Sequence, residues 1–234
     1  MKIKILILII LITGTSARGF SQSVLMEEKV KDYMDLGKNG PNLQRFNYFN
    51  LGFGLIVPTS NDDANILFPS SLCLNLGYRH KTKINNFLAI GMDMNFNYSK
   101  FALQQNPLKT VPDSVQHDKQ HLEFYKFGIG GYFRINFDKR GDNLGKYIDL
   151  GAMIDATFAA TNHTRDKKDG YNISTKNKGM KPYEPFNYSL IARLGYERLA
   201  LTASYRMLSM YKKDYFFEGN ELPPLSVGLE VAIF

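Results

Sequence analysis

The last stretch of the chain, Leu225–Phe234, reads LSVGLEVAIF. Large apolar side chains occupy every second position of this stretch, at Leu225, Val227, Leu229, Val231 and Ile233. A period of two residues is typical of a β-strand with two different faces. A strand can face lipid only inside a closed barrel, because closure pairs every backbone N–H and C=O group. The stretch therefore predicts a transmembrane β-barrel.

Seven earlier segments alternate in the same way, and they cover residues 49–56, 72–79, 88–98, 125–136, 148–158, 186–196 and 199–207. A tilted strand needs roughly 9 to 11 residues to cross a bilayer, and these segments are close to that length. The predicted fold is an all-β, eight-stranded, antiparallel up-and-down barrel. A soluble lipocalin-like barrel shows the same alternation with its apolar face inside, so the pattern alone leaves both forms open.

Three further features favour the membrane form. The aromatic residues of the apolar faces gather near the strand ends, as in the aromatic girdles of membrane barrels. The polar faces contain charges of both signs, which can pair inside a narrow lumen. Short and long connections alternate, and short turns belong at the periplasmic rim. We therefore expect an outer-membrane protein with both termini in the periplasm.

The N-terminal residues predict an export signal. Lys2 and Lys4 precede an apolar run from Ile5 to Ile12, and small residues follow it. This arrangement is typical of a cleaved signal peptide, here residues 1–21. Residues 22–45 are predicted to form a periplasmic segment whose apolar residues have the spacing of a short helix. Residues 46–234 are predicted to form the barrel.

Composition argues against a nucleic-acid-binding protein and against a fold stabilised by disulfides. The net charge is +7, of which three positive charges lie in the predicted signal peptide, and no basic run stands apart from strand ends and loops. Nucleic acid is therefore not an expected partner. Cys73 is the only cysteine, so an intramolecular disulfide framework is excluded.

The lumen is expected to be closed, because the interior of an eight-stranded barrel is just wide enough to be filled by side chains. The turn after the fourth segment places Arg134 opposite Asp149, both facing inward. Counting back from the middle of the long loop between the third and fourth segments suggests a second pair, Asp93 with Lys126. Buried charges are costly unless they are paired, so these pairs predict a structural network. A narrow gated channel is the alternative.

The sequence offers no catalytic, cofactor or metal site. His117 and His121 are four residues apart, but Pro107 and Pro112 argue against the helix that such spacing would need. His80 and His163 are interpreted as solvated. No G-x-S-x-G, H-E-x-x-H or P-loop motif occurs. The chain is therefore not expected to be an enzyme, although a lipid A-modifying barrel enzyme of similar size is the alternative.

The predicted outer loop from Asn162 to Lys181 is rich in basic residues, which are Arg165, Lys167, Lys168, Lys176, Lys178 and Lys181. Such residues suit the phosphates of lipopolysaccharide. They also suit a recognition surface for a protein or glycan partner. The sequence leaves both interpretations open.

The signal end Phe20-Ser21-Gln22, the strands rich in Tyr, Asn and Gly, and the terminal Phe234 resemble the small outer-membrane β-barrels of Bacteroidota. This group includes PorT-like and OmpA-transmembrane-like barrels. The resemblance implies insertion by the barrel-assembly machinery and a structural or partner-binding role. It further implies a larger outer-membrane or periplasmic protein partner in a secretion or gliding machine. One departure is that Phe234 falls on the face opposite to its apolar neighbours.

Overall fold

The structure is a computed structural model, and it describes residues 39–234 except 59–63, 108, 110, 114, 138–140, 142, 169, 213 and 215–220. The predicted signal peptide and residues 22–38 of the predicted periplasmic segment lie outside the described residues. Arg45, placed in that segment, already opens the first strand.

The described chain forms nine strands and one 3-10 helix, Phe68–Ser70. In chain order, β1 to β9 are Arg45–Val57, Leu72–Lys83, Leu88–Leu103, Lys119–Phe137, Lys146–Lys168, Tyr171–Lys178, Phe186–Tyr196, Leu199–Arg206 and Leu225–Ile233. Among the described residues, no helix has the length and apolar composition of a membrane span.

Eight of the strands close into a ring of antiparallel pairs. The order around the ring is β1, β2, β3, β4, β5, β7, β8, β9, and β9 pairs back onto β1. The remaining strand, β6, pairs with the outer half of β5, from Thr161 to Lys168. The predicted all-β barrel is therefore confirmed, with a ninth strand that the sequence did not predict.

The barrel has an apolar outer wall and a polar interior. Outward side chains such as Phe133, Ile154 and Phe186 are 65–69% exposed. Inward side chains such as Arg134 and Asp149 are completely buried. A continuous apolar wall of this size is not found on a soluble monomer, because water would be in contact with all of it. The wall is the lipid-facing surface of a membrane barrel.

Short and long connections lie at opposite rims. Between neighbouring ring strands, the chain reverses briefly after β2, β4 and β7. Longer segments follow β1, β3 and β8, and the segment between β5 and β7 contains β6. The first residue of β1 and the last residue of β9 both lie at the rim of the short turns, since Arg45 pairs with Thr82 and Ile233 with Phe49. We call this the short-turn rim and the opposite one the outer rim.

Phe234 lies just after β9, and its ring packs on inward residues. The ring centroid is 5.0 Å from that of Phe46 and 6.1 Å from that of Tyr48. Arg198 covers the ring at 4.5 Å. The terminal aromatic thus contributes to the closure of the short-turn rim, which accounts for its departure from the outward apolar set.

Candidate functional site

Strands β4 and β5 place Arg134 and Asp149 directly opposite each other, both inside the lumen. Arg134 Nε donates to Asp149 Oδ1 at 2.7 Å, and Nη2 donates to Oδ2 at 2.8 Å. Both side chains are completely buried. A two-pronged contact between a guanidinium and a carboxylate is among the strongest side-chain interactions, and here it has the register that the short turn predicts.

The predicted pair of Asp93 with Lys126 is wrong. The β3–β4 register places Asp93 opposite Gly130, four positions from Lys126. Asp93 instead accepts hydrogen bonds from Arg79 Nε at 2.5 Å and from Arg193 Nη2 at 2.6 Å. The connection between β3 and β4 is too long for a residue count to fix the register of the two strands.

Six charged side chains form one network across the barrel, which we call the lumenal ion layer: Arg79, Arg134, Arg193, Asp93, Asp149 and Glu230. Arg79 Nη1 donates to Glu230 Oε1 at 2.6 Å, and Arg193 Nε lies 3.6 Å from Glu230 Oε2. The layer contains three positive and three negative charges. It is therefore neutral, which is what burial of charge requires.

Tyrosine rings fill the space around the lumenal ion layer. The Tyr48 hydroxyl accepts hydrogen bonds from Arg79 Nη1 at 3.2 Å and from Arg134 Nη2 at 3.0 Å. The Tyr147 ring centroid lies 3.6 Å from the guanidinium carbon of Arg134. A Cβ atom at Gly195 would overlap the same ring. The inward glycine therefore makes room for the aromatic side chain that covers the ion pair.

Apolar side chains close the lumen toward the outer rim. We call this cluster the outer cap; it includes Ile56, Ile66, Phe101, Leu103, Val111, Leu122, Phe124, Tyr183, Met210, Tyr211 and Leu222. A second apolar cluster that includes Phe46 and Leu144 lies toward the short-turn rim. Between the lumenal ion layer and the outer cap lies a cavity of about 150 Å³, which we call the mid-lumen cavity.

The histidines near the outer rim belong to strands or pack against them, contrary to the prediction that His163 is a solvated loop residue. His163 Nδ1 lies 3.1 Å from His121 Nε2, which lies 3.2 Å from Glu123 Oε1. Partial burial lowers the pKa of His121, and the neighbouring Lys100 and His163 lower it further. His121 is therefore favoured in its neutral form.

His163 also contacts a hydroxyl group. Its Nε2 atom lies 2.7 Å from Ser174 Oγ on β6. His117 is half-buried and lies 2.8 Å from Asp166, and this hydrogen bond lowers the pKa of the Asp166 carboxyl. Within the described ranges, no group of three or more His, Cys, Asp or Glu residues is arranged to hold a metal ion.

The predicted outer loop is a hairpin, formed by the outer half of β5 and by β6. We call residues 161–178 the basic hairpin. All six predicted recognition residues are exposed: Arg165, Lys167, Lys168, Lys176 and Lys178 in its strands, and Lys181 just after it. Every residue of β6 is exposed. The basic side chains thus project from an ordered two-stranded arm.

A ring-closed antiparallel barrel with an apolar wall and an ion-paired interior defines the class of the protein, a transmembrane β-barrel. No protein-family model matches the chain, and no curated protein matches its sequence. Among solved structures, the chain is similar to Ail, the attachment invasion locus protein of Yersinia pestis, in complex with the heparin analogue sucrose octasulfate. The identity is 10% and the TM-score 0.30, over 80% of this chain and 94% of that chain.

Proposed function

We propose that the chain is an outer-membrane barrel that binds a polypeptide partner through the basic hairpin, as a component of a larger outer-membrane assembly. The observation that supports this proposal is a positively charged strand edge that stands clear of the barrel. The short-turn rim is periplasmic in this proposal and the outer rim extracellular. A secretion or gliding machine of Bacteroidota is the assembly that the sequence resemblance favours.

The basic hairpin extends well beyond the membrane. Phe158 belongs to the aromatic residues of the outer rim, and β5 continues for ten residues past it, to Lys168. At about 3.3 Å per residue, the hairpin tip lies roughly 30 Å further along the strand. Strand tilt reduces the height, but the tip still lies above the phosphates at the lipid surface. The tip is therefore placed to contact a partner rather than lipid.

The free edge of β6 favours a polypeptide as that partner. Strand β6 pairs with β5 on one side, and no strand in the described part of the chain pairs with its other side. An open edge offers backbone N–H and C=O groups that an added strand can satisfy. Tyr171 and Ile173 are 76% and 48% exposed on this strand and supply apolar contacts.

The charge of the hairpin selects among such partners. Lys176 and Lys178 lie on the open strand, and Lys167 and Lys168 lie on β5 opposite its other end. Like charges oppose pairing of this edge with a second copy of itself, and they attract an acidic strand. We therefore expect a partner segment that is extended and acidic.

Site-specific photocrosslinking in the native host tests this proposal. A photoreactive phenylalanine analogue at Tyr171 is expected to give a protease-sensitive adduct, and the double change Lys176→Glu with Lys178→Glu is expected to abolish it. The matched control places the same analogue at Phe133 on the lipid-facing wall, where no such adduct is expected. An adduct at Tyr171 that survives charge reversal would refute the acidic character of the partner segment. A ladder of lipopolysaccharide adducts alone would refute the partner proposal.

The contact between Ser174 and His163 favours a second candidate function, hydrolysis of acyl esters of outer-leaflet lipid. Ser174 Oγ would attack an ester carbonyl while His163 Nε2 takes its proton, and His163 would return that proton to the alkoxide that leaves as the ester C–O bond breaks. Water would then hydrolyse the acyl-serine by the same route. His121 Nε2, 3.1 Å from His163 Nδ1, would help to orient the His163 ring. His163 lies five residues beyond Phe158, roughly 15 Å along the strand and near the lipid headgroups.

Mass spectrometry of lipid A after overexpression separates the two candidates. The partner-binding role requires no catalysis, so it predicts an unchanged acylation pattern. Hydrolysis predicts that overexpression removes acyl chains from lipid A. The Ser174→Ala variant should not cause this loss, whereas the Ser70→Ala variant, changed at an exposed serine elsewhere, should still cause it.

A further inference from the structure

The wall that faces lipid continues above the membrane as one face of four strands. Tyr98, Tyr125 and Phe158 lie at the outer end of this wall, and the first two pair across β3 and β4. Beyond them, every second residue of these strands lies on the same face. The pairing of β5 with β4 and with β6 extends this face across the base of the basic hairpin. We call its charged part the outer basic face, and its cations are Lys100, Lys119, Arg165, Lys167, Lys176 and Lys178.

The outer basic face has a large excess of positive charge. Against its cations, Glu123 is its one carboxylate among the described residues. Glu123 is already engaged, because it accepts a hydrogen bond from the Tyr98 hydroxyl at 3.1 Å and lies 4.0 Å from Lys176 Nζ. Lys100 is its direct neighbour on β3. The remaining positive charge therefore attracts anions from outside the chain.

Lys119 and Arg165 form a pair of like charges on this face. The β4–β5 register places them directly opposite each other, and both are exposed. Side chains in such positions have Cβ atoms roughly 5 Å apart, and like charges there destabilise a sheet. In the part of the chain that the structure describes, neither cation forms an ion pair with a carboxylate. An anion between the two side chains would remove their repulsion.

The carboxylates next to these cations in the sequence, Asp118 and Asp166, contact each other instead. The Asp118 backbone N–H donates to Asp166 Oδ1 at 3.2 Å, and Asp118 Oδ2 accepts a hydrogen bond from the Lys167 backbone N–H at 2.6 Å. Asp166 Oδ2 lies 2.8 Å from His117 Nδ1. Successive residues of a strand point to opposite faces. Both carboxylates are therefore engaged away from the outer basic face.

The level of Lys119 and Arg165 above the membrane points to a lipid headgroup. Arg165 lies seven residues beyond Phe158 on β5, roughly 23 Å along the strand. A strand tilt of about 45° reduces this distance to a height of roughly 16 Å. Both side chains are long and can bend back toward the membrane, into the layer of phosphorylated sugars that lipopolysaccharide adds above its acyl chains. Because the face looks sideways into this layer, lipid is its direct neighbour.

We propose that Lys119 and Arg165 bind one phosphate group of a lipopolysaccharide molecule in the surrounding outer leaflet. The guanidinium group binds two phosphate oxygens side by side, and the ammonium group adds a point charge. Glu123 lies four residues from Lys119, about 13 Å along β4. This distance exceeds the screening length of about 10 Å in 0.1 M salt, so Glu123 opposes the anion little. The proposal rests on the extracellular position of the outer rim but not on the polypeptide partner, since it uses neither the free edge of β6 nor its lysines.

Binding of labelled lipopolysaccharide to the refolded full chain in detergent tests this proposal. The double change Lys119→Gln with Arg165→Gln should weaken the affinity at least tenfold. The matched control, Arg45→Gln with Lys146→Gln, removes the same charge from exposed residues at the short-turn rim and should keep the affinity. Lipopolysaccharide whose phosphates have been removed should bind the unmodified protein at least tenfold more weakly. Equal affinity of the first variant, equal affinity for the dephosphorylated lipid, or complete displacement by millimolar inorganic phosphate would overturn the proposal.

A measurement of stability separates this site from general effects of the lipid. Lys119→Gln removes one of two opposed like charges, so it should not lower the unfolding midpoint in vesicles of phosphatidylcholine alone. Addition of lipopolysaccharide to the vesicles should raise the midpoint of the unmodified barrel more than that of Lys119→Gln, because a ligand stabilises the state that binds it. An equal rise in both proteins would show that lipopolysaccharide acts on the lipid-facing wall as a whole and would contradict the assignment. Far-UV circular dichroism and heat-dependent gel mobility establish beforehand that each variant is folded.

Discussion

Replacement of Arg134 by methionine is expected to lower the free energy of unfolding by about 3 kcal/mol. Methionine keeps a long unbranched stem, but Asp149 loses both of its hydrogen bonds to the guanidinium group. Removal of one partner of a buried ion pair costs about 3–5 kcal/mol. The lower end applies because Arg193 Nη1 remains 3.9 Å from Asp149 Oδ2 and partly compensates the carboxylate.

The double change Arg134→Met with Asp149→Asn separates the ion pair from simple packing. It keeps the lumenal ion layer neutral, so it should cost less than Arg134→Met alone. The coupling energy between the two sites should therefore reach at least about 2 kcal/mol. Arg198→Met is the matched control, because Arg198 is exposed above the Phe234 ring and such contacts contribute less than about 1 kcal/mol.

Guanidinium unfolding of the barrel in lipid vesicles provides the measurement. The chain contains no tryptophan, so far-UV circular dichroism and the heat-dependent gel shift replace intrinsic tryptophan fluorescence. Additive losses for the two single changes would refute the reasoning, since residues that stabilise each other by charge cannot be removed independently. A loss of similar size in Arg198→Met would show that the cost is not specific to burial.

Two further predictions concern packing and acidity. Gly195→Ala should destabilise the barrel by about 1–3 kcal/mol, because the new Cβ overlaps the Tyr147 ring. Gly179→Ala is the control and should change stability little, because the space around Gly179 is open. Thermal unfolding of both variants provides the measurement. The folded barrel should lose stability as the pH falls below about 6.5, because the pKa of His121 is lowered from 6.5 in the fold and the unfolded chain takes up the proton first. Unfolding midpoints from pH 8 to pH 5 should show the loss in the unmodified chain and a smaller one in His121→Asn, and equal losses in both would contradict the assignment to His121.

Alternation predicts the eight ring strands because each of them separates lipid from lumen, and lipid tolerates few polar side chains. The pattern fails where the chain leaves the membrane. The register of β4 and β5 shifts between Tyr125 and Lys126, so that Phe158 is an extra residue on β5. Beyond this bulge the inward positions change from odd to even residue numbers. The strand that is predicted from the alternation of apolar and polar residues therefore ends at Phe158, although β5 continues to Lys168.

Strand β6 gives no periodic signal at all. Both faces of Tyr171–Lys178 are exposed, so no position requires an apolar residue. The basic residues of this region are recognisable in the sequence, but their order along a free strand edge depends on pairing with β5. Equally, Arg134 and Asp149 are found by counting across a short turn, whereas the partners of Asp93 come from β2 and β7. Closure of the ring brings these strands together across the lumen. The alternation of apolar and polar residues in the sequence does not show which strands meet in this way.

The central claim is that nothing passes through the lumen, so that the activity of the barrel resides on its surface. Single-channel recording in planar bilayers tests it most directly. The lumenal ion layer and the outer cap predict no steady conductance for the purified full-length barrel at either polarity. Steady, nanosiemens-scale openings that scale with salt concentration would contradict the account and favour a channel.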